Sequence, residues 1–435
     1  MTAPPRRGPG LTLGLYCAAS TAGGAVLRRY LDRRTRIGKE DPERVGERFG
    51  MPSRARPSGP LVWLHAASVG ESISFLPLVE TIGERWPRLG QLITTGTVTS
   101  ARLMADRLPA GAIHQFAPVD RPGWVGAFLD HWRPDLALRI ESELWPATID
   151  ALDARSIPAL LVNGRMSRRS FRNWRRLPGL ARRLLRSFAL CLAQTDDDAA
   201  RFRTLGARDV RCLGNLKLAA PELPCDAAAL DLLAETCAGR PVWLGASTHE
   251  GEEARLAAAH AAIRARLPEA LLILVPRHPE RGPGIASTLR EAGHAVALRS
   301  AKEAPDSEIY VADGLGELGL FYRLAGVGFV GGSLVPRGGQ NLLEPARLDC
   351  AILHGPHMAN FEEIAAEMVR AGGSIRVETD DALGNAVASL LSDESMRSRS
   401  CDAAAEVARG KARILGAVVD EIAPYLDKAA QRADA

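Results

Sequence analysis

The sequence lacks the short motifs that identify several large classes of enzyme. Its 435 residues contain no Walker A sequence, no H-E-x-x-H, no C-x-x-C pair, and no predicted strand followed by a complete G-x-G-x-x-G. The seven cysteines are scattered and odd in number, which favours a reducing compartment without structural zinc. These absences count against P-loop phosphoryl transfer and zinc hydrolysis, and they leave ligand binding at the ends of strands.

Neither the charge nor the composition of the chain is extreme. Hydrophobic residues make up 46% of the sequence, charged residues make up 24%, and the formal net charge is +4. These values are ordinary for a soluble α/β protein and give no sign of disorder. Because 435 residues exceed what one hydrophobic core usually supports, we expect two domains.

Short apolar runs alternate with longer segments of helical period from Leu61 onwards. The runs are LVWLHAAS, QLITTG, DLALRIES, PALLVNG and LCLAQT in the first half, and PVWLGAS, ALLILVPRH, EIYVAD, GVGFVGGS and AILHGP in the second. Near-continuous apolar strands separated by helices predict parallel sheets covered on both faces. We therefore expect two α/β halves that meet near residues 215 to 240, with the site in the cleft between them. A final helical stretch, from about Glu394 to Leu426, is long enough to return across that cleft.

One apolar stretch, from Leu11 to Leu27, has a possible membrane or targeting role. It is short for a membrane span, and it leads into a run of arginines: Arg28, Arg29, Arg33, Arg34 and Arg36. A cleaved signal peptide ends at small residues and leads into exported sequence, whereas this stretch leads into the arginine run. We therefore favour a retained anchor on the cytoplasmic side. The alternative is a partly buried first helix with a solvated basic end.

A second basic segment, RMSRRSFRNWRRLPGLARRLLR between Arg165 and Arg186, contains no acidic residue. Such a block of like charge is costly unless it is solvated or matched by an anionic partner. Nucleic acid fits this pattern, with Phe171 and Trp174 as stacking groups. An anionic lipid surface fits it as well, and the amino-terminal segment favours the lipid.

Candidate catalytic carboxylates follow two apolar runs of the first half. Glu71, in HAASVGES, stands where an apolar run gives way to a helix. It is either a first-turn carboxylate that complements the positive end of that helix, or a base at the carboxyl end of a strand. Ser68 is a candidate helix cap. RIESELWP supplies two further carboxylates, Glu141 and Glu143, of which Glu143 has a solvent-facing alternative.

Polar residues also follow strands in the second half. In GASTHEGEE, Ser247 or Thr248 stands where a helix cap belongs, and the acids that follow suit a helix start. That role does not explain His249. In LVPRHPER, Pro276 and Arg277 end an apolar run, and a cation at a strand end favours contact with an anion.

The glycine-rich stretch GFVGGSLVPRGGQNLLEPARL has the pattern of a nucleotide site. Gly331 and Gly332 allow close approach of the backbone to a ligand, and Gly338 and Gly339 lead into a helix whose N–H groups can hold a phosphate. Glu344 is expected one turn inside that helix, where a carboxylate can bind both hydroxyls of a ribose. Paired glycines also form plain turns, which is the alternative.

Taken in order, these stretches resemble the 3-deoxy-D-manno-octulosonic acid (Kdo) transferases of lipopolysaccharide assembly. The matching stretches run from about residue 38 to residue 361: GKEDPERVGERFG, LHAASVGE, ESELWP, NGRMSRRS, GNLK, ASTHEGEE, PRHPER, GGSLV, GGQNLLEPA and GPHMANF. Their number and length make chance agreement implausible.

The resemblance implies a GT-B fold, in which two Rossmann-like domains face each other across an interdomain cleft. It implies inverting, metal-independent transfer of Kdo from CMP-Kdo to a lipid A precursor (lipid IVA), with no cofactor. Glu71 matches the catalytic base, and Glu141 and Lys217 match positions that support the transition state. The segments that hold CMP correspond to Pro276 and Arg277, to Leu315, Gly316 and Glu317, and to Asn341, Leu342, Leu343 and Glu344.

The resemblance also implies an organisation and a location for the chain. Residues 1–37 correspond to a membrane-associated segment, residues 38–225 to an acceptor-binding domain, and residues 226–435 to a CMP-Kdo-binding domain with a carboxy-terminal crossover helix. The expected partners are CMP-Kdo, the lipid A precursor and an anionic membrane surface, and not nucleic acid. The expected location is the cytoplasmic face of the inner membrane.

The chain departs from the family pattern at two positions of the glycine-rich stretch. Gln340 replaces the usual histidine and Leu342 the usual proline. Glutamine donates a hydrogen bond but carries no charge, which puts a protonated-histidine role there in doubt. NGRMS in place of NARLS is a milder change.

Two other functions compete with Kdo transfer. One is a GT-B enzyme that uses a UDP-sugar, such as a lipid-disaccharide synthase or an epimerase, since glycine-rich loops and a ribose-binding glutamate are shared across that fold. The other is a nonenzymatic nucleic-acid-binding protein, which only the arginine block supports.

Overall fold

The apolar runs form two separate parallel sheets in the computed structural model, which describes residues 10–141, 144–219 and 222–431. The chain divides into two units, and each unit contains one of the sheets. The first unit consists of Met1–Ala220 with Ala412–Ala435, and the second consists of Pro221–Lys411.

The described part of the first unit contains a seven-stranded sheet with helices on both faces. Its strands are β1 (Leu61–Ala66), β2 (Gly90–Thr95), β3 (Ile113–Phe116), β4 (Leu136–Ile140), β5 (Ala159–Gly164), β6 (Phe188–Ala193) and β7 (Val210–Cys212). Its helices are α1 (Leu11–Ala22), α2 (Gly24–Arg36), α3 (Val69–Arg85), α4 (Val98–Arg107), α5 (Pro122–Trp132), α6 (Pro146–Ala154), α7 (Arg168–Arg175), α8 (Pro178–Arg186) and α9 (Asp196–Leu205). The strand order is β3-β2-β1-β4-β5-β6-β7, the doubly wound order of a Rossmann-like domain.

The described part of the second unit repeats this architecture. Its strands are β8 (Val242–Thr248), β9 (Leu271–Pro276), β10 (Val296–Leu298), β11 (Ile309–Val311), β12 (Val327–Val330), β13 (Ala351–His354) and β14 (Ser374–Arg376). Its helices are α10 (Ala227–Thr236), α11 (Glu252–Arg264), α12 (Gly282–Glu291), α13 (Leu318–Leu324), α14 (Leu343–Ala346), α15 (Glu362–Ala371) and α16 (Asp380–Ser392). The strand order is β10-β11-β9-β8-β12-β13-β14.

The long carboxy-terminal helix α17 (Glu394–Gln431) belongs to both units. Its residues up to Lys411 are part of the second unit, and the remainder is part of the first. Ile414, Val418 and Ile422 are buried in the core on one face of the first sheet. The apolar spacing of this half of the helix therefore reflects burial against the first unit.

The amino-terminal stretch forms two helices that separate at Gly23. Leu13 is buried in the first unit's core, and the Tyr16 hydroxyl donates a 2.9 Å hydrogen bond to the Asp120 carboxylate. Leu11 and Val26 remain 81% and 69% exposed. Within the part of the chain that the structure describes, no helix has the length and apolar character needed to cross a membrane.

The strand orders define where a ligand is expected in each sheet. In the first sheet, successive strands wind outward in opposite directions from β1 and β4. In the second sheet, the chain order changes direction between β8 and β12, with β9, β11 and β10 on one side and β13 and β14 on the other. Open α/β sheets bind ligands at the carboxyl ends of such strand pairs. We therefore expect functional side chains in the loops that follow these four strands.

Candidate active site

Glu71 lies in the first turn of α3, just beyond the loop that follows β1. Its carboxylate accepts hydrogen bonds from the Ala67 main-chain N–H at 2.8 Å and from the Ser68 hydroxyl at 3.0 Å. The Ser68 oxygen in turn accepts from the Glu71 N–H at 3.3 Å, which makes a reciprocal helix cap. The helix-start interpretation of Glu71 is confirmed. The same bonds hold a largely buried carboxylate at the carboxyl end of β1.

Glu141 lies at the carboxyl end of β4, the strand that pairs with β1. Its backbone has a φ of 60°, which is uncommon for a residue other than glycine. The Lys217 ammonium nitrogen lies 2.6 Å from one oxygen of the Glu141 carboxylate. The structure thus joins two of the three predicted catalytic residues in one ion pair. Glu143 lies outside the described residues.

Asn163 supports the segment that carries Lys217, a role that no pattern in the sequence predicts. Its buried side-chain oxygen accepts a 2.9 Å hydrogen bond from the Leu216 N–H. Lys217 belongs to the 3₁₀ helix Leu216–Ala219, and its own N–H donates to the Asn215 side chain at 3.0 Å. Two asparagines, in the stretches NGRMS and GNLK, therefore fix the position of the lysine.

In the second unit, Pro276 is the last residue of β9 and Arg277 follows it with an exposed side chain. The Arg277 N–H donates to the Thr248 carbonyl at 3.0 Å, which ties this loop to the end of β8. The predicted cation thus projects from the carboxyl edge of the second sheet with its main chain held.

The segment Leu315–Glu317 lies just before α13 and is only partly available to a ligand. Leu315 is 88% exposed, and Gly316 has a φ of 82°. The Glu317 carboxylate forms two hydrogen bonds with the Arg299 guanidinium, at 2.7 and 2.6 Å. Contacts from this segment to a ligand are therefore expected from main-chain groups rather than from the Glu317 side chain.

The predicted helix after the glycine-rich loop is shorter than expected, and the position given for Glu344 is wrong. Glu344 is the second residue of the single-turn helix α14, not a residue one turn inside a longer helix. The helix ends early because the Leu348 N–H bonds to the Pro345 carbonyl at 3.0 Å, and Asp349, with a φ of 53°, turns the chain into β13.

Asn341 and Glu344 contact each other within this short segment. The Asn341 amide lies 3.4 Å from a Glu344 carboxylate oxygen, and the Asn341 side-chain oxygen accepts from the Leu343 N–H at 3.1 Å. Burial raises the pKa of Glu344, while the Asn341 hydrogen bond and the positive charges of Arg277 and Arg347 oppose the increase. Arg277 and Glu344 therefore belong to one electrostatic neighbourhood.

Gln340, which replaces the usual family histidine, contacts His249. The two side-chain Nε2 atoms are 3.4 Å apart. Burial lowers the pKa of His249, with further lowering by Arg337, His278 and Arg277 against the opposing charge of Glu252. A neutral His249 ring can accept the hydrogen bond that the Gln340 amide donates.

The predicted helix cap at Ser247 or Thr248 is wrong. Thr248 is the last residue of β8, Ser247 has a φ of 53°, and the N-cap of α11 is Gly251. The Thr248 hydroxyl instead donates to the Glu253 carboxylate at 2.9 Å. The strand thus continues further than its sequence suggests, and the acids of this segment make contacts beyond their own helix.

The basic segment forms α7 and α8 in the first unit. Phe171 and Trp174 are partly buried and pack against the core of the first unit. Five exposed arginines form no ion pair within the described residues: Arg168, Arg169, Arg172, Arg175 and Arg176. This segment therefore presents positive charge at the surface of the first unit.

Comparisons with known proteins match the sequence to one family. A family model described as 3-Deoxy-D-manno-octulosonic-acid transferase (kdotransferase) matches residues 43–220. The 3-deoxy-D-manno-octulosonic acid transferase of Rickettsia bellii is 35% identical over 363 residues, which are 83% of this chain and 86% of that protein. The chain belongs to the Kdo transferase family. A transferase of the same name from Haemophilus influenzae is 34% identical over 397 residues, 89% of this chain and 92% of that protein.

The family membership and the enzyme class predicted from the sequence are thereby confirmed, and the chain is a glycosyltransferase. Among solved structures, the UDP-GlcNAc 2-epimerase of Neisseria meningitidis resembles it with a TM-score of 0.55 at 13% identity, covering 84% of this chain and 100% of that one. A likeness at this identity concerns the fold alone. It confirms the GT-B class for this member of the Kdo transferase family.

Proposed function

We propose that this enzyme transfers Kdo from CMP-Kdo to a phosphorylated lipid A precursor, lipid IVA, in lipopolysaccharide inner-core synthesis. The observation that carries the proposal is the 34–35% identity, over more than four fifths of the chain, to proteins named for Kdo transfer. The residues that match the family's catalytic and donor positions follow strands at the carboxyl edges of the two sheets, where ligands bind in such folds.

Glu71 is the base in this proposal. The acceptor hydroxyl attacks the anomeric carbon of Kdo, its proton passes to the Glu71 carboxylate, and the bond from that carbon to the phosphate oxygen breaks. CMP leaves with the electron pair. The contacts from Ala67 and Ser68 support this role because they fix the orientation of the carboxylate before the substrate arrives.

Glu141 and Lys217 support the departure of CMP. The donor carries a phosphate and a carboxylate, and negative charge grows on the phosphate as the glycosidic bond breaks. Lys217 offsets that charge, and its ion pair with Glu141 holds the ammonium group in place. We assign Glu141 the role of orienting Lys217.

The donor is held by the second unit. Arg277 contacts the anionic part of CMP-Kdo, and Glu344 binds the ribose hydroxyls. Leu315 and Gly316 contribute main-chain groups, because the Glu317 carboxylate is already bound by Arg299. Asn341, Leu342 and Leu343 shape the wall beside Glu344.

In this proposal the first unit binds the acceptor and contacts the membrane, at the cytoplasmic face of the inner membrane. Helix α8 packs against both α1 and α7, so the exposed apolar side chains of α1 and the unpaired arginines of α7 belong to connected elements. Apolar and basic groups together suit an anionic lipid surface and the phosphates of the acceptor.

The competing function is that of a GT-B enzyme using a UDP-sugar. Titration calorimetry with CMP-Kdo, CMP and UDP-GlcNAc, each with and without a metal chelator, separates the two. We expect CMP and CMP-Kdo each to bind as well with chelator as without it, because Arg277 supplies the positive charge. We expect UDP-GlcNAc to bind far more weakly than either. Preference for UDP-GlcNAc, or loss of CMP binding with chelator, would contradict the proposal.

A further inference from the structure

Glu252, the first residue of α11, makes contacts that a helix-start acid does not need. It is fully buried, and its two carboxylate oxygens accept four main-chain hydrogen bonds. The donors are His249 at 2.9 Å, Gly332 at 2.7 Å, Ser333 at 3.0 Å and Leu334 at 2.9 Å. Three of the four lie in the loop after β12, about eighty residues further along the chain, so the carboxylate joins two distant segments.

This contact lies where Rossmann-like domains often bind a phosphate. The strands β8 and β12 are the pair from which the second sheet winds outward, and converging N–H groups beside a helix start form an anion site. Here the Glu252 carboxylate occupies that place. The loop after β12 is thus organised around an anion that belongs to the protein.

The loop held by Glu252 continues directly into the proposed donor segment. The Gly332 carbonyl accepts a 2.8 Å hydrogen bond from the Gly339 N–H, two residues before Asn341. A side chain at Gly331 would collide with the Ser247 carbonyl, since a Cβ there would lie 2.6 Å from that oxygen. The close fit leaves the loop little freedom once Glu252 holds its amides.

Glu253, the next residue, holds the other proposed donor loop in a similar way. Its carboxylate accepts from the Thr248 hydroxyl at 2.9 Å and from two nitrogens of Arg281, at 2.8 and 3.2 Å. The Thr248 carbonyl accepts from the Arg277 N–H. Glu253 therefore fixes both sides of the turn that presents Arg277.

We infer that Glu252 and Glu253 are positioning residues that hold the two donor-binding loops of the second unit, with Glu252 acting as a built-in anion for the loop after β12. The inference rests on the proposed function, in which those loops bind CMP-Kdo. Neither carboxylate contacts the donor. Each one fixes the main chain from which the donor contacts arise.

Calorimetry with CMP on Glu252→Ala tests this role. Removal of the carboxylate leaves buried amides without acceptors, so we expect CMP affinity to fall by roughly tenfold to a hundredfold. Added formate should restore part of the affinity, compared with chloride at equal ionic strength, because formate fits the vacated place. The matched control is Glu250→Ala, an exposed acid of the same stretch, whose affinity should stay at the wild-type value.

Two further variants test the same role if Glu252→Ala does not fold. In Glu252→Gln the amide fills the space but turns a donor toward N–H groups, so CMP binding should weaken without formate rescue. Glu253→Gln loses its charge pair with Arg281 and should weaken CMP binding as well. In turnover, both should raise KM for CMP-Kdo while kcat changes little, whereas a loss of folded enzyme lowers kcat.

The outcomes separate this inference from the proposed function. A wild-type enzyme that does not bind CMP would overturn both. Wild-type binding together with unchanged CMP affinity in Glu252→Gln and Glu253→Gln would overturn the positioning role alone. Weakened CMP binding in Glu252→Ala without any response to formate would contradict the role of Glu252 as a built-in anion.

Discussion

The Glu71 carboxylate accepts hydrogen bonds from groups of its own chain, among them the Ala67 N–H and the Ser68 hydroxyl. Capping of α3 and removal of a proton from the acceptor are compatible, because each carboxylate oxygen can accept more than one hydrogen bond. The cap holds the side chain still, and a base that is held in position loses less freedom when the substrate binds. At this residue the structural role supports the proposed chemical one.

We predict that Glu71→Gln abolishes most turnover and leaves donor binding nearly unchanged. General-base contributions are typically on the order of a hundredfold to ten-thousandfold, so kcat should fall by that range while CMP-Kdo affinity stays within a few fold. Steady-state kinetics and calorimetry measure the two effects. Glu80→Gln, an exposed acid of the same helix, is the control and should keep wild-type kcat.

Glu71→Gln also weakens the helix cap, so the folded fraction must be measured alongside. Loss of a cap costs about 1 kcal/mol, which a thermal melt detects. A folded Glu71→Gln enzyme with near-normal kcat would leave Glu71 with the capping role alone.

His260 is a buried histidine whose surroundings favour the neutral ring. Its Nδ1 accepts a 3.0 Å hydrogen bond from the Trp243 indole, and its Nε2 lies 2.9 Å from the Glu308 carbonyl. Burial lowers the pKa of His260 from 6.5 to about 4. Protonation of Nδ1 would break the contact with Trp243.

We predict that this histidine makes the second unit less stable in acid. In the unfolded chain His260 is protonated as the pH falls below 6.5, whereas in the folded protein it is protonated only near pH 4. The free energy of unfolding therefore falls as the pH is lowered across that window. Between pH 7 and pH 5 the loss is about 2 kcal/mol. Denaturant unfolding at both pH values should show a smaller loss in His260→Gln, whereas the exposed His278→Gln should match wild type. Equal losses in all three would contradict the role of His260.

At the scale of elements, the strands that the sequence predicts are those in the interior of each sheet. All ten apolar runs coincide with strands that have a neighbour on both sides. The strands that the runs miss, β3, β7, β10 and β14, are the four sheet edges among the described residues. These four strands have only three or four residues each, and all but β10 contain residues that are not fully buried, so they lack the long continuous apolar pattern of a strand buried on both faces.

The candidate site was predictable where a residue follows an interior strand. Glu71, Glu141 and Arg277 all do so. The supporting contacts were not predictable, because they join segments that are far apart in sequence, as Glu252 does with the loop after β12. Local pattern indicates a helix start for such an acid and does not reveal the loop that it also holds.

Helix α7 is the element whose role depends most on a partner. If the arginines of this helix and its C-cap residue Arg176 contact an anionic surface, neutralising three of them should weaken liposome binding, since each basic residue near such a surface contributes roughly 1 kcal/mol. We predict reduced flotation with anionic liposomes for Arg172→Gln/Arg175→Gln/Arg176→Gln, and an effect that shrinks as salt rises. Calorimetry should show unchanged CMP binding.

A charge-matched triple variant controls for net charge. Arg102→Gln/Arg107→Gln/Arg133→Gln removes three exposed arginines from other parts of the first unit and should float like wild type. An equal loss of flotation in both triple variants would show that the effect depends on net charge and not on the position of the arginines. Unchanged flotation and acceptor kinetics in the α7 variant would leave this helix as a solvated surface and the membrane contact with residues 11–36.

At the scale of the whole molecule, fold and family carry different information. The epimerase likeness, at 13% identity, is shared by enzymes of other chemistry and shows only the fold. The relatives at 34–35% identity extend through both units and agree on one activity in their names. The proposed base lies in the first unit of the chain, and the proposed donor-binding residues lie in the second.

Transfer of Kdo is tested most directly by the mass of the lipid product. Purified enzyme is incubated with CMP-Kdo and lipid IVA in the presence of a metal chelator, and the lipid is then analysed by mass spectrometry. We predict a lipid heavier by one or more Kdo residues, together with release of CMP, and no such product from Glu71→Gln. An unmodified acceptor with folded, CMP-binding wild-type enzyme would contradict the proposed acceptor. A Kdo-bearing product formed equally by Glu71→Gln would contradict the proposed base.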